Sequence, residues 1–424
     1  MIYAFLIIHI FLVAINYHIS RSWLYPPVVF TALWSFLLGC LILSGDFFYR
    51  ISASTLLIFL LGSLAFSAGG LLSLALKTRS RAVVASESKW TCRVLDASLL
   101  LLVISLPFYI ERLRHLSAMS GVSDFWIGLR IQTSTGFRDN GFGVFSYVIM
   151  LGNLASLAAM AQLFKSGYSK RKTCALIFIT LSYGVLSAGR TGTIMLLFAL
   201  SCVLALSRKF KPRNILLMAV TVVILFVLPA ILLGKGVSKN KDFSENVVGM
   251  RENMQLYLLG GLVAFDQSTS GAGQTVSGGK TLIFFRRLFY ALGFSESDPS
   301  IIYGYSYTPR LTNLYTVYFP YYTDFGLAGV VVIMCSLGAA LTFAYRLATA
   351  GYPMFVMLYS LGFSMLMLTS AGDWFLTSLS VWIQAVAFSV ILYKVPPLVS
   401  GPNARAKVGM VLLRSGQVPT NLSS

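Results

Sequence analysis

The chain has 424 residues, 57% of them hydrophobic and 11% charged, with a mean hydropathy of +0.77. Soluble domains carry about 25% charged residues, so an ordinary water-soluble protein is excluded. A net charge of +19 would suit nucleic acid if it formed one soluble basic face, but the basic residues are divided among short loops between apolar runs, which points to a membrane and to no nucleic-acid partner.

Apolar runs of roughly 17 to 23 residues recur along the chain, the length that crosses a hydrocarbon layer of about 30 Å at about 1.5 Å per residue. Backbone polar groups in lipid must find partners within the segment, so these runs are expected to be helices. Eleven spans are expected, at about 2 to 16, 24 to 44, 54 to 76, 94 to 110, 142 to 164, 173 to 188, 191 to 207, 214 to 233, 317 to 345, 353 to 369 and 374 to 393. The sixth and seventh flank SAGRTG, the tenth and eleventh flank TSAGD, and both pairs read as helical hairpins. The fold class is therefore all-α, a polytopic membrane bundle of about eleven helices. No basic segment precedes MIYAFLIIHIFLVAI and Arg21 follows it, so the first run reads as a retained helix with its N-terminus outside.

Nineteen of the 33 Lys and Arg residues lie in loops after odd-numbered spans, near 21, 77–93, 165–172, 208–213, 346 and 394–414, with only Glu87 and Asp96 of the 14 acids among them. The positive-inside rule makes these loops cytoplasmic. Four regions follow: 1–233 with eight spans and an external loop at about 111–141, a large external loop at 234–316, three more spans at 317–393, and a cytoplasmic tail at 394–424. Connections as long as 234–316 are usually functional or disordered. The apolar patches YLLGGLVAF and TLIFFRRLFYALGF inside it favour a folded cap, and the second could lie in the membrane plane as an amphipathic helix.

The five cysteines lie in or beside spans, giving neither a disulfide framework nor a zinc spacing, and His9, His18 and His115 all fall outside the long loop. No metal site and no cofactor is expected. Nucleotide donors are absent outside the cell, and no Walker-type loop occurs in a suitable context.

Arg190 stands between two short apolar runs in LSYGVLSAGRTGTIMLLFAL. An arginine at a membrane boundary is costly unless it snorkels or meets a partner, so it is a functional candidate, with a surface turn as the alternative. Gly189 and Gly192 beside it would let backbone amides face an anion. The external loops add Arg130, Arg138, Arg251, Arg286, Arg287 and Arg310, in company with tyrosines such as Tyr315. The guanidinium is a permanently charged planar fork suited to phosphate oxygens, and aromatic faces suit sugar rings. Asp266, Asp324, Asp373 and Asp139 are the acids that could serve as a base. Helix capping is the competing role for Asp324 and Asp373.

The LSAGRTG turn at 186–192, the AFDQ segment at 264–267 and TPRLTNLYTVYFPYYTDFGLAGV at 308–330 together resemble the Wzy-type O-antigen polymerases. So do the spacings Arg130 to Gly141 (Arg-x10-Gly) and Arg310 to Gly326 (Arg-x15-Gly) in the two external loops. The resemblance implies a GT-C-like membrane glycosyltransferase in the bacterial inner membrane with its active site facing out. It would move a growing glycan from undecaprenyl pyrophosphate onto the next lipid-linked repeat unit. It further implies Arg190 and Arg310 on the donor pyrophosphate, Arg130 and Arg138 on the second lipid-linked substrate or the sugar path, and Asp266 as base. Arg251, Arg287, Tyr315 and Asp324 are the remaining candidates for binding glycan or pyrophosphate. Membrane lipid, a chain-length regulator and a flippase are the implied partners. The alternatives are a ligase-like transferase, disfavoured because the long loop lacks histidine, and a lipid-linked oligosaccharide flippase, disfavoured because the spans carry almost no charge.

Overall fold

The computed structural model describes residues 1–76, 89–134, 142–165, 167–187, 190–207, 242–271, 279–295 and 303–393. Among the described residues there are thirteen α-helices and one short β-hairpin, an all-α polytopic fold. The first eight helices are α1 (Ile2–Ser20), α2 (Pro26–Leu43), α3 (Ala53–Ala75), α4 (Lys89–Ala118), α5 (Phe125–Ser134), α6 (Phe145–Lys165), α7 (Lys170–Leu186) and α8 (Arg190–Leu206). Then come α9 (Phe243–Gly271), α10 (Ile283–Ala291), the strands β1 (Ser306–Tyr307) and β2 (Leu311–Thr312), α11 (Tyr318–Thr349), α12 (Pro353–Met367) and α13 (Leu379–Tyr393).

Ten of the eleven expected spans coincide with α1 to α4, α6 to α8 and α11 to α13; the run at 214–233 lies outside the described residues. Six helices, α1, α2, α3, α4, α6 and α11, are long and apolar enough to cross a membrane, and α8, α12 and α13 are shorter apolar helices. Local chemistry sets several boundaries. α2 and α12 begin at Pro26 and Pro353, whose missing N–H is no loss in a first turn. Ser52 caps α3, its Oγ accepting from the Thr55 N–H at 3.3 Å.

The closest helix pair is α3 with α11. A Cβ on Gly69 would strike the Cys335 carbonyl, one on Gly338 the Phe66 carbonyl, and one on Gly62 the Tyr318 ring. Glycines on both helices thus let the backbones touch. Above this contact an aromatic layer joins three helices, with Trp34 4.8 Å from Phe59 and 4.9 Å from Tyr318 between ring centres, and Phe30 stacked 4.5 Å from Phe66. α1 is held to α3 by polar contacts, Asn16 donating to Ser67 Oγ at 3.0 Å and His9 Nε2 meeting Ser63 Oγ at 3.3 Å. Its outer side, with Tyr3, Ile7 and Phe11, is exposed.

At the end where the basic loops lie, Arg346 of α11 donates to the Ser73 and Leu76 carbonyls, which terminate α3 and would otherwise lack partners. Lys172 and the Tyr168 hydroxyl meet Asp96 there, each at 2.8 Å.

The long loop folds onto the other end of the bundle. α9 changes character along its 29 residues: its first half is exposed or half-buried except at Gly249, and from Leu259 to Asp266 every residue is buried. Burying Leu259, Leu262, Val263 and Phe265 stabilises this docking by about 1.5–3 kcal/mol for each large side chain. α10, with nine residues, is too short to cross a layer of about 30 Å. It exposes Phe285, Leu288 and Phe289, with Leu292 exposed just beyond its end.

The α3–α11 contact leaves no room for a side chain. Gly69→Val is expected to destabilise the protein by about 1–3 kcal/mol, whereas Gly39→Ala, with nothing within 4 Å of its added Cβ, is expected to be near neutral. Thermal unfolding of the two variants in one detergent, followed by monodisperse recovery, checks the difference.

Candidate functional site

The AFDQ segment is the joint between the long loop and the bundle, and its consecutive side chains hold different elements. Phe265 packs 5.6 Å from Phe59 of α3 and 5.8 Å from Tyr322 of α11, centre to centre. Asp266 Oδ1 accepts from the Ser52 N–H at 3.1 Å and also from the Ser52 hydroxyl. Gln267 Nε2 donates to the Tyr307 carbonyl at 2.8 Å, and its Oε1 accepts from Ser306, which ties the hairpin to α9. Gly261 allows the same helix to lie against the 368–371 turn, where a Cβ would strike the Ser370 carbonyl.

A second cluster forms where the segment before α10 meets α11. Asp324, 1% exposed, accepts at Oδ2 from the Lys280 N–H at 2.9 Å and the Thr281 N–H at 2.6 Å. Capping of its own helix was the role competing with substrate binding for this carboxylate; its two N–H donors come from the neighbouring turn instead. Among the described residues, its Oδ1 and the Thr281 hydroxyl find no hydrogen-bond partner. Two residues on, Gly326 interrupts α11 with φ +64°, a conformation that only glycine takes at little cost.

The Lys280 ammonium sits 4.3 Å from the centre of the Phe319 ring, a cation–π contact. Burial lowers its pKa, and the Asp324 charge opposes that shift. Phe319 stacks on Tyr315 at 4.0 Å and meets Tyr303 edge-on at 4.8 Å. Tyr315 donates to the Gly304 carbonyl at 2.9 Å. Burial pushes the Tyr303 phenol up, with the Asp373 and Asp324 charges adding to the effect.

Asp373 completes the cluster. Its carboxylate accepts from the Tyr321 hydroxyl at 2.7 Å and from the Phe375, Leu376 and Thr377 N–H groups at 2.8, 3.4 and 3.0 Å. It therefore organises the turn before α13, which starts at Leu379, and does not cap that helix directly. Burial raises its pKa against these donated bonds.

The expected arginines are spread more widely. Arg190 opens α8 directly after the α7 terminus, where Ser187 donates to the Gly184 carbonyl at 2.7 Å; its side chain, like that of Arg130 in α5, lies outside the described set. Arg138 lies outside the described residues. Arg310 forms an ion pair with Glu252 of α9, joining the hairpin to the exposed half of that helix. Arg251 is exposed on α9 and Arg287 half-buried on α10. The structure thus brings Asp324, Tyr315 and Asp373 together, seats Asp266 on α3, and leaves Arg310 at the rim. Lys280 was not expected: it stands in SGGK between glycines and a threonine, and only the fold brings it to Asp324. Among the described residues no three His, Cys, Asp or Glu side chains gather closely enough to hold a metal ion.

A family model described as "Putative O-antigen polymerase" matches residues 1–370. The chain belongs to the O-antigen polymerase family. No curated protein and no solved structure matches it. The matched stretch includes the LSAGRTG turn, α9 with AFDQ, and the α11 start with Asp324, and it ends in the turn that precedes Asp373. The chain is a multi-pass membrane protein, and its family is one of membrane polymerases of O-antigen repeat units.

The Asp324 charge raises the Lys280 pKa that burial lowers. In Asp324→Asn, which keeps an oxygen for the two N–H donors, a larger share of Lys280 is expected to be the free amine near neutral pH. Acylation of Lys280 by an amine-reactive reagent, read by mass spectrometry, should rise in the variant. Unchanged labelling of Lys280 in the folded variant would remove the coupling.

Proposed function

We propose that this family member joins O-antigen repeat units on undecaprenyl pyrophosphate, at the outer face of a bacterial inner membrane and on a GT-C-like scaffold. The growing chain leaves its lipid: the bond between its anomeric carbon and the pyrophosphate oxygen breaks as an acceptor hydroxyl on the next lipid-linked unit attacks that carbon. The hydroxyl proton passes to a base, and undecaprenyl pyrophosphate departs with the bonding electron pair.

The observation that carries this reading is the family match from residue 1 to 370, taken with the position of AFDQ at the joint of loop and bundle. Asp266 is assigned as the base. Its carboxylate is fixed by Ser52 and 9% exposed, which suits a group that must meet one hydroxyl in one orientation. Arg190 and Arg310 are assigned to the leaving pyrophosphate, where fixed cations in a poorly hydrated site offset developing charge. For Arg310 this requires exchange of its Glu252 partner for phosphate oxygens, and an exposed ion pair costs only about 0–1 kcal/mol to open. Arg130 and Arg138 are assigned to the second lipid-linked substrate. Arg251, Arg287, Tyr315 and Asp324 are assigned to the glycan path. A flippase that delivers repeat units and a regulator of chain length are the partners this reaction implies.

The test is incubation of the purified protein with lipid-pyrophosphate-linked repeat units from its own host, with products resolved on a gel. A ladder spaced by whole repeat units is expected. Arg190→Ala should lower its rate by about 10²–10³-fold and Asp266→Asn by about 10²–10⁴-fold. Substrate of proven quality that yields no ladder would overturn the polymerase reading; a ladder undiminished in Asp266→Asn would remove the base.

A further inference from the structure

A groove of about 480 Å³ opens at the loop-bearing end of the first three helices, between the start of α1, the end of α2 and the 45–51 segment. Its apolar wall includes Ile2, Leu41, Ile42 and Ile51. Arg50, Asp46, Tyr3 and Tyr49, all exposed, line it as well. Among the described residues Arg50 makes no ion pair, and it is exposed. Two residues on, Ser52 is the one that holds Asp266.

The position of the groove decides what it can take. Tyr3, Ile7 and Phe11 of α1 and Leu43 of α2 are exposed beside it, on helices long and apolar enough to span, so one side faces lipid and the mouth lies where the spans end. An occupant must have an apolar tail that stays in hydrocarbon and an anionic head that meets Arg50 at the boundary. A free sugar lacks the tail, and a neutral lipid offers the Arg50 guanidinium no opposite charge.

We propose that this groove binds the phosphate end of a polyprenyl-linked substrate. Arg50 takes the phosphate oxygens, the apolar wall takes the first isoprene units, and Asp46 accepts from hydroxyls of the adjoining sugar. The proposal rests on the polymerase reading, since that reaction brings two lipid-linked molecules to one enzyme. Arg130 and Arg190 belong to α5 and α8, whereas this groove belongs to α1, α2 and the start of α3. The two anionic heads would then be held by different groups of helices, which limits repulsion between them and leaves the sugars to converge on Asp266.

The test uses the full-length protein in nanodiscs and a photoreactive geranylgeranyl pyrophosphate analogue, with cross-linked peptides read by mass spectrometry. Labelling is expected within residues 1–10 or 41–51, competed by geranylgeranyl pyrophosphate but by neither geranylgeraniol nor inorganic pyrophosphate at the same concentration. Arg50→Gln should weaken the competitor about tenfold or more, the worth of one charge-assisted contact, and Arg50→Lys should recover part of that loss. Label outside both segments, equal competition by the alcohol, or an Arg50→Gln variant that binds like the parent would overturn the site. No acceptor or turnover enters this assay, so a failed ladder with intact labelling would overturn the polymerase reading alone. A normal ladder without labelling would overturn the groove alone.

Discussion

Apolar side chains gain nothing by leaving lipid for one another, so helices in a bilayer associate through close packing and buried polar contacts. The α3–α11 pair meets that condition with glycines on both helices, Gly62 against the Tyr318 ring, Gly69 against the Cys335 carbonyl and Gly338 against the Phe66 carbonyl. The consequence reaches the far end of the bundle. Once these two helices are fixed, Ser52 at the start of α3 and Asp324 near the start of α11 are fixed with them. Those are the two points to which the long loop is fastened, through Asp266 and through the Lys280 and Thr281 amides.

Carboxylates do most of this fastening. Asp266, Asp324 and Asp373 each accept backbone N–H groups from another segment or from the turn that follows. A buried carboxylate needs such donors, because leaving it without them costs several kcal/mol. The exposed Arg310–Glu252 pair contributes far less to the position of the hairpin. Gln267 and the stacking of Tyr315 on Phe319 carry that part of the structure. An acid in this cluster can thus be structural, chemical or both, and Asp266 is argued to be both because its fixed orientation is what a base requires.

The spans were legible because the period and length of apolar runs are set by the bilayer, and this constraint acts on each segment alone. The buried half of α9 has a related reason: most of it lies within YLLGGLVAF, a stretch too apolar to stand in water. The roles of single residues were not. Asp324 sits where a helix-capping acid would sit, yet its donors come from residues 280 and 281, more than forty positions away. Nothing in SGGK marks Lys280, because its surroundings, the Phe319 ring and the Asp324 charge, arrive only through the packing of α11. Asp373 was recognised as an acid in a turn, but its acceptance of the buried Tyr321 hydroxyl depends on a helix fifty residues earlier.

The loop also meets a physical requirement of the chemistry. Fixed charges stabilise a leaving pyrophosphate strongly only where water is excluded. A span-only scaffold would present its arginines at an open boundary, where solvent screens them. The apolar half of α9, drawn down by Phe265 and allowed close by Gly261, places a dry surface over that boundary next to Asp266. Two adjacent demands, burial for this helix and a fixed acid for the proposed reaction, would thereby be met by neighbouring residues of one helical turn.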